Sequence, residues 1–398
     1  MDDLAGDASL DMSGSACLSR ARALIPLLRA AAERIDAGNE LPPDVLDAMF
    51  KARLFKLILP RSLGGAELTP VEYVQCVEAV AEGDASAAWC MNQGSGCSMA
   101  AAYTSPEIAR EVWGGARDVL AWGQGPGAKA IRAPGGWRVT GSWSFASGSR
   151  HATWLGAWCP SFEADGTPCV RPDGKHWERT LLMPRRVAKI DDVWGVLGLR
   201  GTGSDTYAVQ DLFVDDAHCL TREYGPERRE SGYLYRFQSM QLYAGGFSSV
   251  ALGVARGMLD SFIALAKTKS QAWSSEKMRD NHSIQHIIGY WDAAWKSARA
   301  GLHQTLRTAW DDVVARGELS LEQKIGIRQA TTYAIHVSRD LCHAVFHEAG
   351  ATAIFNNQPF ERRLRDINSV SQQTQGRRTH FETIGLYRLG GEPDMKWL

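Results

Sequence analysis

The sequence predicts a mixed α and β chain, mainly helical. It divides into an N-terminal helical domain (1–118), a middle β-domain of barrel or sandwich type (119–228) and a C-terminal four-helix bundle (229–398). Three observations predict this. Apolar residues recur at helical spacing up to about Ala116. From Val119 to about Tyr224 glycines multiply, and β-branched and aromatic residues alternate with polar ones. From about Tyr233 long helical stripes return. Strands do not alternate with helices, which argues against a Rossmann domain.

Taken in order, residues 1–16 (MDDLAGDASLDMSGSA) are acidic and small, opposite in charge to a signal peptide, and read as a short disordered lead-in. Leu18 to Ile35 carries an amphipathic stripe of Leu24, Ile25, Leu27, Leu28 and Ile35, expected as one helix. Pro42-Pro43 opens a second helix at Asp44, with Val45, Leu46, Met49 and Phe50 on one face. Pro60 and Gly64-Gly65 break the chain, and Thr69-Pro70 starts a third helix through Glu82. Gly83 to Trp89 begins a small-residue helix able to pack closely on a neighbour.

In the middle region, residues 136–148 (GWRVTGSWSFASG) read as turn, strand, turn, strand: an aromatic hairpin ending in a small Ser-Gly corner. Such a corner lets a flat ligand approach the backbone with no side chain in the way. Gly198 to Asp216 is a glycine-rich bend feeding an alternating strand. In the last region four long helices are expected, roughly 236–268, 282–316, 320–350 and 360–388, the first rich in glycine.

Composition excludes several functions. A formal net charge of −1 gives no electrostatic footprint for nucleic acid or an anionic membrane. The eight cysteines form no CxxC pair, so neither a zinc site nor a redox dithiol is encoded, and reduced thiols in a cytoplasmic protein are expected. No run of ~18 consecutive apolar residues is present. His343/His347 and His282/His286 have ligand-like spacing but no third ligand in view, and read as packed or interfacial pairs; no metal is expected.

Four motifs in sequence order resemble the acyl-CoA dehydrogenase superfamily: residues 57–65 (LILPRSLGG), residues 121–130 (AWGQGPGAKA) followed by the aromatic segment above, residues 201–204 (GTGS) and residues 361–367 (ERRLRDI). The resemblance covers nearly the whole chain and implies an acyl-CoA dehydrogenase fold with an isoalloxazine ring between β-domain and bundle. It places Trp122, Gly123, Gln124, Gly125, Ser147, Gly148 and Ser204 at the cofactor, whose charge backbone amides could stabilise. Gly350 would be in a loop that meets a neighbouring subunit's flavin, and Arg377 could bind flavin phosphate. A homotetramer is implied.

Within that superfamily the dehydrogenases need a carboxylate base. Neither place where relatives carry it holds an acid: residues 372–375 are QQTQ, and Tyr235 to Ser249 contains no Glu or Asp. The chain is more similar to the reduced-flavin monooxygenases, in the W.F.SG pattern of residues 143–148 and in residues 365–373 (RDINSVSQQ). That branch takes reduced flavin (FADH2 or FMNH2) from a separate flavin reductase, forms a flavin hydroperoxide with molecular oxygen and passes one oxygen to a small aromatic, heteroaromatic or amine substrate. Asn368 and Gln373 stand where relatives often carry His, so they are expected to hydrogen-bond the peroxide or orient the substrate. Ser147 at the corner and His151 just past it complete the catalytic candidates. Trp89, Trp122, Trp143 and Trp154 lie nearest the flavin loops. A flavoprotein dehydrogenase or oxidase with another base, and a non-catalytic scaffold, are the alternative readings.

Overall fold

The computed structural model describes residues 10–270, 276–395 and 398. Six helices come first: α1 (Gly14–Ala23), α2 (Ile25–Gly38), α3 (Pro43–Lys51), α4 (Pro70–Gly83), α5 (Ala85–Ser98) and α6 (Pro106–Trp113). Residues 1–9 of the expected lead-in lie outside the described residues, and its end is already helix: the Ser13 side chain caps α1 by accepting from the Ala16 N–H. The single helix expected over Leu18–Ile35 is two. Pro26, in the first turn of α2, has no N–H to continue the ladder, and the Leu24 N–H turns back to the Ala21 carbonyl instead. A Thr69–Glu72 capping box starts α4, and Asp84 caps α5 through the Ala87 N–H.

Eight strands follow: β1 (Leu120–Trp122), β2 (Lys129–Ala133), β3 (Gly136–Ala146), β4 (Trp154–Phe162), β5 (Glu178–Pro184), β6 (Lys189–Asp191), β7 (Asp205–Asp215) and β8 (Cys219–Leu220). They form one sheet in the order β6-β7-β3-β2-β4-β5-β8, with β1 beside β4. The β1–β4 and β2–β4 pairs are parallel, and no helix crosses between them. The sheet curls around its own core of Trp137, Val139, Trp143, Leu155, Leu181 and Tyr207. Period-two alternation divides β1: Ala121 joins this core, while Leu120 and Trp122 face the helices.

The hairpin expected over residues 136–148 is instead one strand, β3, bonded to β2 on one edge and to β7 on the other. Gly141 makes no turn. It marks a register shift against β7, and a side chain there would meet Ala128 at 2.5 Å.

The helices beyond are α7 (Ser239–Thr268), α8 (His282–Arg316), α9 (Leu321–Ala349), α10 (Pro359–Gln372) and α11 (Thr379–Arg388). Helix α7 is long and apolar enough to span a membrane by composition, but 67% of its most apolar window is buried inside the protein, as befits a core helix. It packs on α4, α5, α9 and α10, and at Gly253 a side chain would meet the Glu78 carbonyl at 2.4 Å, so the backbones touch. The expected fourth bundle helix is broken at residues 373–378. Gln373 is extended, and Gly376 packs so closely that a Cβ would sit 2.6 Å from the Ser371 carbonyl.

Candidate functional site at the Ser-Gly corner

β3 ends in strained backbone. Phe145 has φ +58 and is 61% exposed, and Gly148 has φ +80. A bulky residue in the left-handed region is uncommon and marks a conformation that the surroundings enforce. The facing bend has the same character, with Leu199 at φ +55 and Gly203 at φ +47. Both bends are tied together by the Gly148 N–H, which donates to the Thr202 carbonyl at 2.9 Å.

Between them runs a buried chain of hydroxyls. Trp89 Nε1 on α5 donates to Ser147 Oγ (3.0 Å), Ser147 Oγ is 2.6 Å from Ser204 Oγ, Ser204 Oγ is 2.7 Å from Thr202 Oγ1, and Thr202 Oγ1 donates to the Leu199 carbonyl (2.8 Å). An indole N–H only donates and a carbonyl only accepts, so the two ends fix the direction of every proton between them. Ser147 donates to Ser204, and Ser204 donates to Thr202. The backbone continues the connection: the Leu199 N–H donates to Asp366 Oδ1 on α10 at 2.7 Å. Asp366 is buried, and burial followed by the nearby Asp84 carboxylate pushes its pKa up to about 7.

The corner is therefore well organised but is not a set of free amides. The N–H groups of Gln124, Ser147 and Gly148 all bond to carbonyls of the protein, which corrects the expectation that they serve a ligand. What remains open at Ser147 is one acceptor lone pair on Oγ.

The structure brings together six of the expected residues. Gln124 pairs with Ser144 in both directions at 2.9 Å, so residues 123–125 run beside the end of β3. Gly123 and Gly125 are explained by that approach, since side chains there would meet the Ser144 carbonyl at 2.4 Å and the Trp143 indole at 2.3 Å. Ser147, Gly148 and Ser204 meet as described. Trp122 turns to the helical side, with the Arg222 guanidinium 4.2 Å over its ring.

Four other expected residues lie outside the hydroxyl chain. His151 packs beneath the corner, its ring 5.3 Å from Phe55, with Nε2 buried and unpartnered. Burial and then the charge of Arg185 lower its pKa to about 4, so it is neutral at physiological pH and no base poised near neutrality. Asn368 lies two residues, about 200° of helix, from Asp366 and points to α9, where His343 Nε2 contacts its Oδ1 at 3.1 Å. Gly350 ends α9 at φ +62, beside the Lys269 Nζ that bonds the Ala349 carbonyl. Arg377 is an exposed residue after the broken helix. Of the tryptophans singled out, Trp143 is a core residue stacked on Tyr207 at 5.3 Å, and Trp154 stacks on His218 at 5.7 Å.

Gln373 lies in the loop after α10. Its Oε1 accepts the Gln375 N–H, and its Nε2 is buried without a partner. This loop is anchored on α9 through Arg328 and Thr332, and on α7 through the Gln375–Met240 contact. The neighbouring Ser239 lines a cleft with Gly96, Met99, Tyr103, Trp122 and Arg222. From that cleft an aromatic row leads to the corner: Tyr243 packs on Gly96, stacks with Phe247 at 5.8 Å, and Phe247 lies 4.1 Å from Trp89. Sequence reasoning missed Thr202, Arg222, Tyr243, Phe247 and the placement of Asp366. An aromatic pair one turn apart on a glycine-rich helix was a usable signal for Tyr243 and Phe247; Arg222 had none.

The chain belongs to the acyl-CoA dehydrogenase family: the N-terminal domain model matches residues 23–114 and the C-terminal domain model residues 245–375. Its relatives along nearly the full length are named as monooxygenases or hydroxylases, flavin-dependent oxygenase components among them. It is 27% identical to indole-3-acetate monooxygenase of Pseudomonas putida over 92% of this chain and 91% of that protein. It is also 27% identical to the flavin-dependent monooxygenase oxygenase subunit HsaA of Rhodococcus jostii, over 88% of this chain and 92% of that one. The fold matches that of XiaF from Streptomyces sp., solved in complex with FADH2 and glycerol, with a TM-score of 0.88, 22% identity and coverage of 97% and 98%.

Proposed function

We propose that this chain is the oxygenase component of a two-component flavin-dependent monooxygenase, acting in the cytoplasm on a small aromatic or heteroaromatic substrate. A separate reductase supplies its reduced flavin. The observation that carries this reading is the directed hydroxyl chain ending at Ser147. The open valence there is an acceptor, and it matches a ring N–H that reduced isoalloxazine carries and the oxidised ring lacks. The residues present therefore fit the group: Ser147 would accept from it, and the left-handed turn at Phe145 and the approach of residues 123–125 would shape its edge.

When bound, reduced flavin supplies the electrons that activate dioxygen for transfer of one oxygen atom. The chain's own residues do the rest. Trp89, Ser204 and Thr202 hold the Ser147 hydroxyl in one orientation. Trp89, Tyr243 and Phe247, each less than 10% exposed, keep water from the approach. Gln373, with Oε1 engaged, has an N–H left to orient substrate.

A dehydrogenase reading is weaker because, among the described residues, no unengaged carboxylate lines the cleft. Glu223, the carboxylate that lines the cleft, already accepts from the Ser239 N–H and hydroxyl at the start of α7. We take residues 1–118, 119–228 and 229–398 as the three domains. We also take the active form to be a homotetramer, because Tyr290, Tyr333, Ile354 and Phe355 expose large apolar area on the bundle; light scattering after gel filtration tests it.

The functional test is anaerobic titration with reduced and oxidised FMN and FAD, followed by turnover under ¹⁸O₂ with a reductase. Preference for the reduced form, with label in the product, is expected. Tight binding of oxidised flavin with no label in any product would overturn the reading.

A further inference from the structure

Two stripes of side chains face each other between α5 and α7. On α7, Ser239, Tyr243 and Phe247 follow at four-residue intervals and share one face, spanning about 12 Å along the axis. Opposite them, in the reverse order, stand Gly96 and Trp89 of α5. The Tyr243 ring packs on Gly96, and Phe247 lies 4.1 Å from Trp89. At one end of this seam is the cleft that Ser239 and Gly96 line with Tyr103 and Trp122. At the other end Trp89 bonds to Ser147.

The cleft holds about 10 Å³, room for a single water molecule, so no substrate ring fits in it with the side chains as they stand. Yet the seam is not sealed core. Tyr243, Phe247 and Trp89 keep 8–9% exposure, whereas Leu242, Ala244, Ala88 and Met91 beside them have 0–1%. Solvent therefore touches all three rings, and the rings themselves obstruct any larger body between cleft and corner.

The three are not held alike. Trp89 is fixed by its 3.0 Å bond to Ser147, and Phe247 packs tightly against it. Tyr243 has the loosest hold. Its ring is 5.8 Å from Phe247, and its hydroxyl meets the weakly bonding Cys97 Sγ and the Gln93 carbonyl, each at 3.4 Å, a long distance for an oxygen acceptor. Across from it a Cβ at Gly96 would lie 2.3 Å from the ring, so the position of Tyr243 depends on that glycine.

We propose that Tyr243 is a specificity-determining residue: its ring closes the seam between cleft and corner, and the width of ring it lets past decides which substrates reach Ser147. This rests on the oxygenase reading and deepens it, from the class of substrate to the side chain that selects within the class by size. Turning aside, the Tyr243 ring gives up two weak contacts; returning, it shuts water out behind the substrate.

The probes are neutral aromatics of growing width: phenol, indole, naphthol and carbazole. Stopped-flow fluorescence gives their association and dissociation rates on the full chain saturated with reduced FMN or FAD without oxygen. In wild type both rates should fall as the ring widens. Tyr243→Ala should flatten that dependence, raising the rates of the widest probes about tenfold or more. Tyr243→Phe keeps the ring and loses both hydroxyl contacts, and it guards against an Ala variant that does not fold. It should raise both rates by one common factor of about two to ten and leave affinity unchanged, because an obstruction acts on entry and exit alike. A residue that only packs against the bound ring would change dissociation alone. Reduced-flavin affinity should stay within about twofold in both variants. The proposal is overturned if wild type shows no dependence on width, if Tyr243→Ala keeps the wild-type dependence, if Tyr243→Phe alters dissociation only, or if none of the three proteins binds any probe. Failure of wild type to bind reduced flavin would overturn the oxygenase reading and this one with it, whereas flavin binding with ring rates unaltered by both substitutions would strike only Tyr243.

Discussion

Ser147 and Trp89 should be energetically coupled, and the size of that coupling follows from the geometry. Ser147→Ala removes the acceptor of a buried indole N–H that the structure holds at 3.0 Å. Leaving such a donor unpaired costs about 1–3 kcal/mol. Trp89→Phe removes the donor and part of a ring packed 4.1 Å from Phe247, at a cavity cost of roughly 1–3 kcal/mol, but Ser147 can still donate to Ser204. In the double variant no donor is orphaned. Its destabilisation should therefore fall short of the sum of the singles by about 1–2 kcal/mol. Equilibrium urea unfolding of the four proteins, followed by circular dichroism, measures this, and reduced-flavin affinity measured on the same set should show the same non-additivity. Strict additivity of the two substitutions would refute the directed chain.

Three further outcomes are expected. Asp366 has a folded pKa raised to about 7 by burial and by Asp84, opposed by the Leu199 N–H, Arg362 and Arg365, so the folded state holds its proton where the unfolded chain does not. Its stabilising contribution is full below pH ~4 and is lost as pH rises toward ~7, about 1.4 kcal/mol per unit at most. Asp366→Asn should flatten that slope in melting curves, and an unchanged slope would reassign it. Gly148→Ala would force φ +80 on an L side chain and bring its Cβ to 3.1 Å from the His151 ring, so reduced-flavin binding should weaken at least tenfold, with wild-type affinity excluding the corner as the flavin edge. Asn368→Ala should change stability by no more than ~0.5 kcal/mol and leave hydrogen peroxide leakage at the wild-type level, because its partner is His343 on α9; increased leakage would restore it to the site.

The helix–strand–helix order was legible because periodicity changes twice along the chain, and the Ser-Gly corner because small residues there follow an aromatic run. Boundaries that depend on single backbone bonds were less visible. Pro26 announces its break to anyone counting N–H groups, whereas Gly141, which looks like a turn, is a register shift visible only once β2 and β7 flank it. His151 illustrates a different limit. Its position beside the corner was correct, but its chemistry depends on desolvation by Phe55 and the charge of Arg185, neither of which is local in sequence. Asn368 and Asp366 show that a motif's phase on its helix matters as much as its presence: of two polar residues two positions apart, only one reaches the β-domain.

The connection from Trp89 to Asp366 also explains why the corner holds its shape with so many left-handed residues. Strain at Phe145 and Leu199 persists only if the surroundings over-determine it. Here the restraints come from three distant parts of the chain: the indole of α5, the hydroxyls of the two bends, and the carboxyl of α10 gripping the Leu199 amide. Helix α10 is held in turn by Arg365, which bonds Asp36 on α2, Glu361 and the Leu197 carbonyl. A perturbation at Asp366 should therefore reach Ser147 without touching it, through loss of orientation of the hydroxyl chain. Among the described residues the hydroxyl chain at the corner contains no titrating base. It presents one oriented acceptor instead, and the orientation is a property of the whole fold.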